Sequence, residues 1–340
     1  MDQPHSNKKI ILGHGSGGKL SAELIESLFL PAFRNEFLSP LGDQAVVTIN
    51  GTRIAFTTDS YVVNPIFFPG GSIGDVAVNG TVNDLAVGGA RPLYISAGVI
   101  LEEGMPIDEL ERIVSDMKRA CERAGVQLVT GDTKVVEKGK GDKIFINTSG
   151  IGVVDAEIDI SPQRVRPGDK IIVNGPIGEH GIAIMSIREG LEFETEIQSD
   201  TAPLNHLVRD MLNVSKNIRW MRDPTRGGLS SSCNELAKSA QKGIVLYESE
   251  IPVPEAVKAA CEILGLDPLY VANEGKLLAV VPADETDTIL QAMHNNPHGK
   301  DACIIGEVVD DHHGFVLLKT TIGGSRVVDM LAGEQLPRIC

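Results

Sequence analysis

Apolar and polar positions along the chain alternate between a period of two and a period near 3.6, which predicts strands interleaved with helices. Val46-Val-Thr-Ile49 and Thr52-Arg-Ile-Ala-Phe-Thr-Thr58 flank Asn50-Gly51. Asn-Gly suits the two positive-φ positions of a type I′ turn, so the segment predicts a hairpin. Further strands are expected near 93–101, 126–130 and 144–153, with helices near 72–88 and 106–124. The polar Ser161-Pro-Gln-Arg-Val-Arg-Pro-Gly-Asp169 reads as a linker or turn. A second α/β section begins at Lys170-Ile-Ile-Val173, with helices near 203–213, 228–240 and 254–264 and strands near 277–281, 303–308 and 315–318. From about Gly323 no core period is visible. The pattern therefore predicts an α/β (α+β) protein with a Gly-rich segment over 1–42, domains over 43–155 and 165–320, and a mobile tail over 323–340.

Composition narrows the function. The chain carries 46 acidic and 31 basic residues, a net charge of −15, which argues against a nucleic-acid partner. A protein this acidic that binds phosphates usually needs a divalent cation between the like charges. No apolar run approaches the ~18 residues that a membrane span requires. The opening Met-Asp-Gln-Pro-His-Ser-Asn-Lys-Lys-Ile lacks the apolar stretch of a secretory leader, so a cytoplasmic protein is expected. Five cysteines without C-x-x-C spacing fit neither a disulfide framework nor structural zinc. Cys121, Cys233 and Cys261 fall on apolar helical stripes and Cys303 in an apolar run, as core residues do. Cys340 stands alone at the end.

Several short motifs could carry chemistry. In the hairpin, Ile49 opposite Thr52 sets Asp43 opposite Thr58, which brings Asp43 and Asp59 to the open end. Two carboxylates there are relieved either by a cation or by solvation as loop residues. Gly13-His-Gly-Ser-Gly-Gly18-Lys19 matches G-x-x-x-x-G-K after a short strand expected at 9–12, but Leu20 stands where a P-loop needs Ser or Thr. What remains is a Gly-rich strap over phosphates, with Lys19 as a point charge. Asn83 and Asp84 interrupt an apolar helix, as a solvated face, a C-cap or a site. Asp132 and Lys134 lie in a Gly-Asp-Thr-Lys turn expected at a strand end, where α/β proteins place ligands. Asp223 and Arg226 belong to Arg222-Asp-Pro-Thr-Arg-Gly-Gly228, an anion site ahead of a helix or a simple turn. Glu274, in Ala272-Asn-Glu-Gly275, is either a general base or a loop carboxylate. The histidines, His180 among them, show no spacing of a transition-metal site.

In order, Leu12-Gly-His-Gly-Ser-Gly-Gly18, Thr58-Asp-Ser-Tyr61, Phe67-Phe-Pro-Gly-Gly71, Asn83-Asp84, Gly131-Asp-Thr-Lys-Val-Val136, Asp223-Pro-Thr-Arg-Gly-Gly228, Ala272-Asn-Glu-Gly-Lys276 and Pro337-Arg-Ile-Cys340 resemble the HypE family of hydrogenase maturation proteins. That family lies in the superfamily of aminoimidazole ribonucleotide synthetase and selenophosphate synthetase. The resemblance implies a two-domain aminoimidazole ribonucleotide synthetase-like fold with an ATP-binding, dimerising first domain. It implies ATP and Mg²⁺ as cofactors, with Asp43, Asp59, Asp84 and Asp223 as metal carboxylates. Lys19, Asn83, Asp132 and Arg226 would help bind nucleotide, and Cys340, Glu274 and Lys134 would be catalytic. The implied reaction is ATP-dependent dehydration of an S-carbamoyl group on Cys340 to a thiocyanate. A carbamoyltransferase, HypF, would load the thiol, and a HypC–HypD complex would take the cyanide to iron. The rival readings are a synthetase of the same superfamily acting on a free small molecule, and a thiol carrier without catalysis.

Overall fold

The structure is a computed structural model and describes residues 9–191, 197–331, 333, 336 and 338–340. Residues 1–8 of the first segment, and Pro337 with 332, 334 and 335 of the tail, lie outside the described residues.

The first domain is one five-stranded sheet with helices on one face. Its strands are β1 (Ala45–Ile49), β2 (Thr52–Tyr61), β3 (Ala90–Glu102), β4 (Gln127–Val136) and β5 (Ile144–Val154), in the order β1-β2-β5-β3-β4. The Asn50-Gly51 hairpin has its expected register, Ile49 facing Thr52 and Ala45 facing Phe56. Both turn residues have positive φ, 50° and 81°, as a type I′ turn demands. β3 and β4 run parallel, because a helix crosses over between them. The two helices are α1 (Ile73–Val87) and α2 (Ile107–Ala124). α1 is buried on nearly every side, so its small and apolar residues show no single stripe. It starts at Ser72, whose hydroxyl accepts the Gly74 N–H while Asp75 accepts the Ser72 N–H.

The second domain has a seven-stranded sheet. Its strands are β6 (Lys170–Val173), β7 (Trp220–Arg222), β8 (Gly243–Tyr247), β9 (Leu278–Val281), β10 (Cys303–Val309), β11 (Val316–Lys319) and β12 (Ser325–Val327), in the order β12-β11-β8-β10-β6-β9-β7. Around it pack α3 (Glu179–Glu189), α4 (Asn205–Val214), α5 (Gly228–Ala240), α6 (Glu255–Leu264) and α7 (Thr286–His294). The sequence pattern missed α3, α7, β7, β8 and β12. β7 and β12 are three residues long, too short for a period, and α3 is apolar around Ile182–Ile184. The two domains share their interior. Ala55, Leu85 and Val87 of the first join Ile172, Leu204, Met221 and Leu277 of the second in one apolar cluster. The seam between the domains is therefore a packed core, and the candidate site lies along it.

Three local expectations are corrected. Residues 9–12 form no strand: Ile10, Ile11 and Leu12 are exposed, and Leu12 opens a 3-10 turn. Gly131-Asp-Thr-Lys134 is not a turn but the middle of β4. The final stretch is not free of the core: Val328, Leu331 and Ile339 are all buried. Apolar anchors spaced this widely leave no period, yet each finds its own pocket.

Candidate active site

Asp43 precedes β1, Asp84 sits one turn from the end of α1, and Asp223 follows β7. Their carboxylates bring one oxygen each within 4.8 Å of one another. Thr57 ties two of them together, its hydroxyl 2.6 Å from the Asp43 carbonyl and 2.9 Å from Asp84 Oδ2. Asp43 also receives Arg222 Nε at 3.0 Å, while the other arm of Arg222 holds Glu235 at 2.9 Å. Burial, then the neighbouring Asp223, Asp43 and Asp59, push the Asp84 carboxyl well above the usual range. Asp223 is pushed up to about 7 by burial and by Asp43, against the pull of Arg222. Asp43 is raised by burial and Asp59, which outweigh the opposing charge of Arg222. One buried and two half-buried carboxylates that raise one another's pKa are a hard-oxygen donor set, which fits a Mg²⁺-sized cation.

Asp59 stands apart from this trio. It is close enough to act on the charge of Asp43, as the hairpin register implied, but its carboxylate pairs with Arg226 at 3.5 Å. The expected set of four thus resolves into three clustered carboxylates and one that holds an arginine. Arg226 also donates to the Gly15 carbonyl at 3.0 Å, which pins the Gly-rich strap over this loop. A side chain at Gly17 would meet Arg226 Cβ at 2.6 Å, and one at Gly18 would meet the Leu331 carbonyl at 2.3 Å. Only glycine permits so close a pass. Lys19 donates its backbone N–H to Leu331, and its side chain is exposed, with no described contact to the carboxylates.

Asn83 is neither solvated nor open to a ligand. Fully buried, it accepts the Leu204 N–H at 2.8 Å and donates to the carbonyls of Ala202 and Glu274, both at 3.1 Å. Its amide is spent on joining α1 to the Glu274 loop. Asp132 and Lys134 likewise lie apart from the trio. They pair with each other on exposed β4 and line a cleft of 310 Å³ with Tyr61, Val62, Phe145 and Asn147.

Glu274 and Cys340 are brought together. Glu274 is 2% exposed, and its Oε1 has no hydrogen-bond partner among the described residues. Burial and the charges of Asp223, Asp200 and Asp59 push its carboxyl well above the usual range. Its backbone N–H donates to Asp200 at 3.0 Å, and Asp200 in turn faces Lys276 at 3.3 Å. The last residues run antiparallel to 62–64: Val62 N–H donates to the Cys340 main-chain oxygen at 3.2 Å and Asn64 N–H to the Arg338 carbonyl at 3.1 Å. In this seat burial pushes the Cys340 thiol up to about 12 against the pull of Arg226, with Glu274, Asp59 and Asp223 adding to the rise. Sequence reasoning gave no role to Arg222, Thr57 or Asp200. They are ordinary polar residues whose importance appears only when the domains meet.

Two acidic loops and a Gly-rich strap converging on a domain seam define a class. The chain belongs to the AIR synthase related proteins: the N-terminal domain of that family matches residues 41–154 and the C-terminal domain residues 166–319. Within that class it is a member of the HypE family. It is 54% identical over 334 residues to carbamoyl dehydratase HypE of Azotobacter vinelandii, covering 98% of each chain. It is similar to HypE as solved in a HypE–HypF complex, at 48% identity and a TM-score of 0.86, covering 91% of this chain and 99% of that one. HypE solved in complex with ATP is 47% identical with a TM-score of 0.82, covering 98% of this chain and 100% of that one.

Proposed function

We propose that this protein is an ATP-dependent carbamoyl dehydratase that acts on its own Cys340, and that it supplies a cyanide ligand for [NiFe]-hydrogenase iron. The observation that carries this reading is the seat of half-buried Cys340, beside Arg226 and buried Glu274, whose Oε1 has no hydrogen-bond partner among the described residues, and next to the carboxylate trio. ATP binding rests on the family and on the relative solved with ATP.

An S-carbamoyl group has a poor leaving group, because its oxygen would have to depart as hydroxide. Transfer of the γ-phosphoryl group to that oxygen makes phosphate the leaving group. The nitrogen then loses its protons as the C–O bond breaks, giving S–C≡N, ADP, phosphate and one proton. Glu274 is the base, and its raised pKa suits it to take a proton from nitrogen near neutral pH. Arg226 would face the negative charge that grows on the transferring group. Asp43, Asp84 and Asp223 would hold Mg²⁺, which when bound offsets phosphate charge. Lys134 and Asp132, across the Val62 cleft from the tail, would orient the carbamoyl nitrogen or the nucleotide.

The partners follow from this chemistry. A carbamoyltransferase, HypF, would load Cys340, and a HypC–HypD complex would receive cyanide. A homodimer would form through the first sheet, where Leu128, Val129 and Val135 of β4 and Tyr94 and Ile100 of β3 are exposed. The test is mass spectrometry of the C-terminal peptide after incubation with the carbamoyltransferase, carbamoyl phosphate and ATP, with and without Mg²⁺. A carbamoyl adduct on Cys340 that loses one water only with Mg–ATP is expected. An unmodified Cys340 alongside ATP hydrolysis on a free substrate would overturn the reading in favour of a small-molecule synthetase. An adduct that never loses water would leave a thiol carrier.

A further inference from the structure

His180 has no part in the chemistry above, yet it is fully buried and both of its ring nitrogens are engaged. Nε2 lies 2.8 Å from the carbonyl oxygen of Ile339. A carbonyl can only accept, so Nε2 carries the proton. Nδ1, 2.7 Å from Ser199 Oγ, must then accept the serine hydroxyl. Ser199 is itself held: its Oγ accepts the Thr201 N–H at 3.2 Å, and its N–H donates to the Pro69 carbonyl at 2.8 Å. Phe68 stands edge-on to the imidazole at 5.4 Å between ring centres. Every contact around the ring therefore fixes its tautomer and its aim at the tail.

The rest of the groove is equally built. The Ile339 side chain, 3% exposed, shares an apolar cluster with Val63, Ile66, Ile184 and Ala272. Leu336 packs against α3 where Gly181 leaves room. The main-chain oxygens of residues 338 and 340 accept backbone N–H groups, which any sequence can offer, and Arg188 also reaches the carbonyl of Arg338. His180 supplies the donor for the carbonyl between them.

We infer that α3 and residues 62–64 form a recognition groove for the chain's own Arg-Ile-Cys end, in which His180, oriented by Ser199, is the positioning residue that sets the sulfur in register with the site. The inference rests on the reading that the docked Cys340 is the reacting one. It extends that reading by assigning the selection of the tail to one side chain and one apolar pocket. Docking leaves Cys340 half-buried, as Cys303 is, so release of the tail should expose the thiol further and its accessibility reports on the grip.

The experiment is alkylation of the full-length chain by iodoacetamide at pH 8, without nucleotide or carbamoyl donor, with each cysteine followed by peptide mass spectrometry. Half-buried Cys303 serves as the internal reference. Losing the donor to a buried carbonyl should raise the Cys340 alkylation rate in His180→Leu by about tenfold. His180→Gln, which places an amide N–H where Nε2 stood, should restore protection to within about threefold, since the same bond can form. Cys303 should not change in either. Unaltered protection of Cys340 in a folded His180→Leu overturns the inference. So does an equal loss in the Gln variant, which would make the effect one of core packing. Should His180→Leu fail to fold, Ser199→Ala decides on the same readout: faster alkylation of Cys340 supports the inference and an unchanged rate overturns it. Because neither ATP nor carbamoyl is present, a chain that protects Cys340 through His180 but never makes a nitrile would defeat the proposed activity while leaving the groove standing.

Discussion

A buried ionisable side chain is expensive unless something stabilises its charge, and this site gathers several. Asp223 illustrates the consequence. Its folded pKa of about 7 lies above the ordinary 3.8. A raised carboxylate pKa contributes stability below the unfolded value and loses it as pH rises through the folded one. The Mg²⁺-free protein should therefore become less stable between pH 4 and 7, and Mg²⁺ should raise its Tm most at pH 8. Scanning calorimetry over that range checks this, and a Mg²⁺ effect larger at pH 5 than at pH 8 would contradict it. Glu274 is tested differently. Glu274→Gln keeps the volume and the backbone contacts to Asn83 and Asp200 but cannot take a proton. Nitrile formation should fall by about a hundredfold or more, with ATP binding intact by calorimetric titration. Retained dehydration would remove Glu274 as the base.

At the scale of elements, the telling device is α1. This helix is buried on nearly every side, so its polar residues must find partners, and it lies under the first sheet with its last turns at the seam. Asn83 spends its amide there on three backbone groups from the second domain. Asn83→Leu would strand those groups, each costing about 1–3 kcal/mol when buried and unpaired. The expected result is a marked fall in Tm together with a slower dehydration step, because the Glu274 loop loses its anchor. A variant with unchanged Tm would show that the clamp carries little weight.

At the scale of the whole molecule, the uncovered part is the far face and edge of the first sheet. β4 is an exposed edge strand with Val129 and Val135 in the open, an arrangement that invites pairing with another copy. The wild-type chain should run as a dimer in light scattering. Val135→Asp should run as a monomer with unchanged circular dichroism, since the valine is largely exposed in its own chain. A monomeric wild type would remove the homodimer from the proposal. No described helix is long and apolar enough to cross a membrane.

Much of this was legible in the chain itself. Hairpin register, the α1 and α2 boundaries, buried Cys121, Cys233 and Cys261 (though not half-buried Cys303) and the failed P-loop all follow from short-range rules, in which a residue's neighbours in sequence are its neighbours in space. The long-range facts were not. Asp59 and Asp43 were correctly brought near each other by pairing arithmetic, but which carboxylate joins Asp223 and which turns to Arg226 depends on how two domains close. Spacing marks Lys19 as a phosphate ligand but cannot show that its side chain is exposed. The tail looked free because Val328, Leu331 and Ile339 are anchors without a period. His180 looked ordinary and Asn83 looked like a solvated face, a C-cap or a ligand, because a buried polar residue takes its meaning from partners 119 to 191 positions away. The sequence alone determined the elements and the chemical inventory, since local propensity and periodicity act over a few residues. Only the tertiary structure decided which carboxylates cluster, which arginine is paired and where Cys340 sits, because burial and electrostatics act through space.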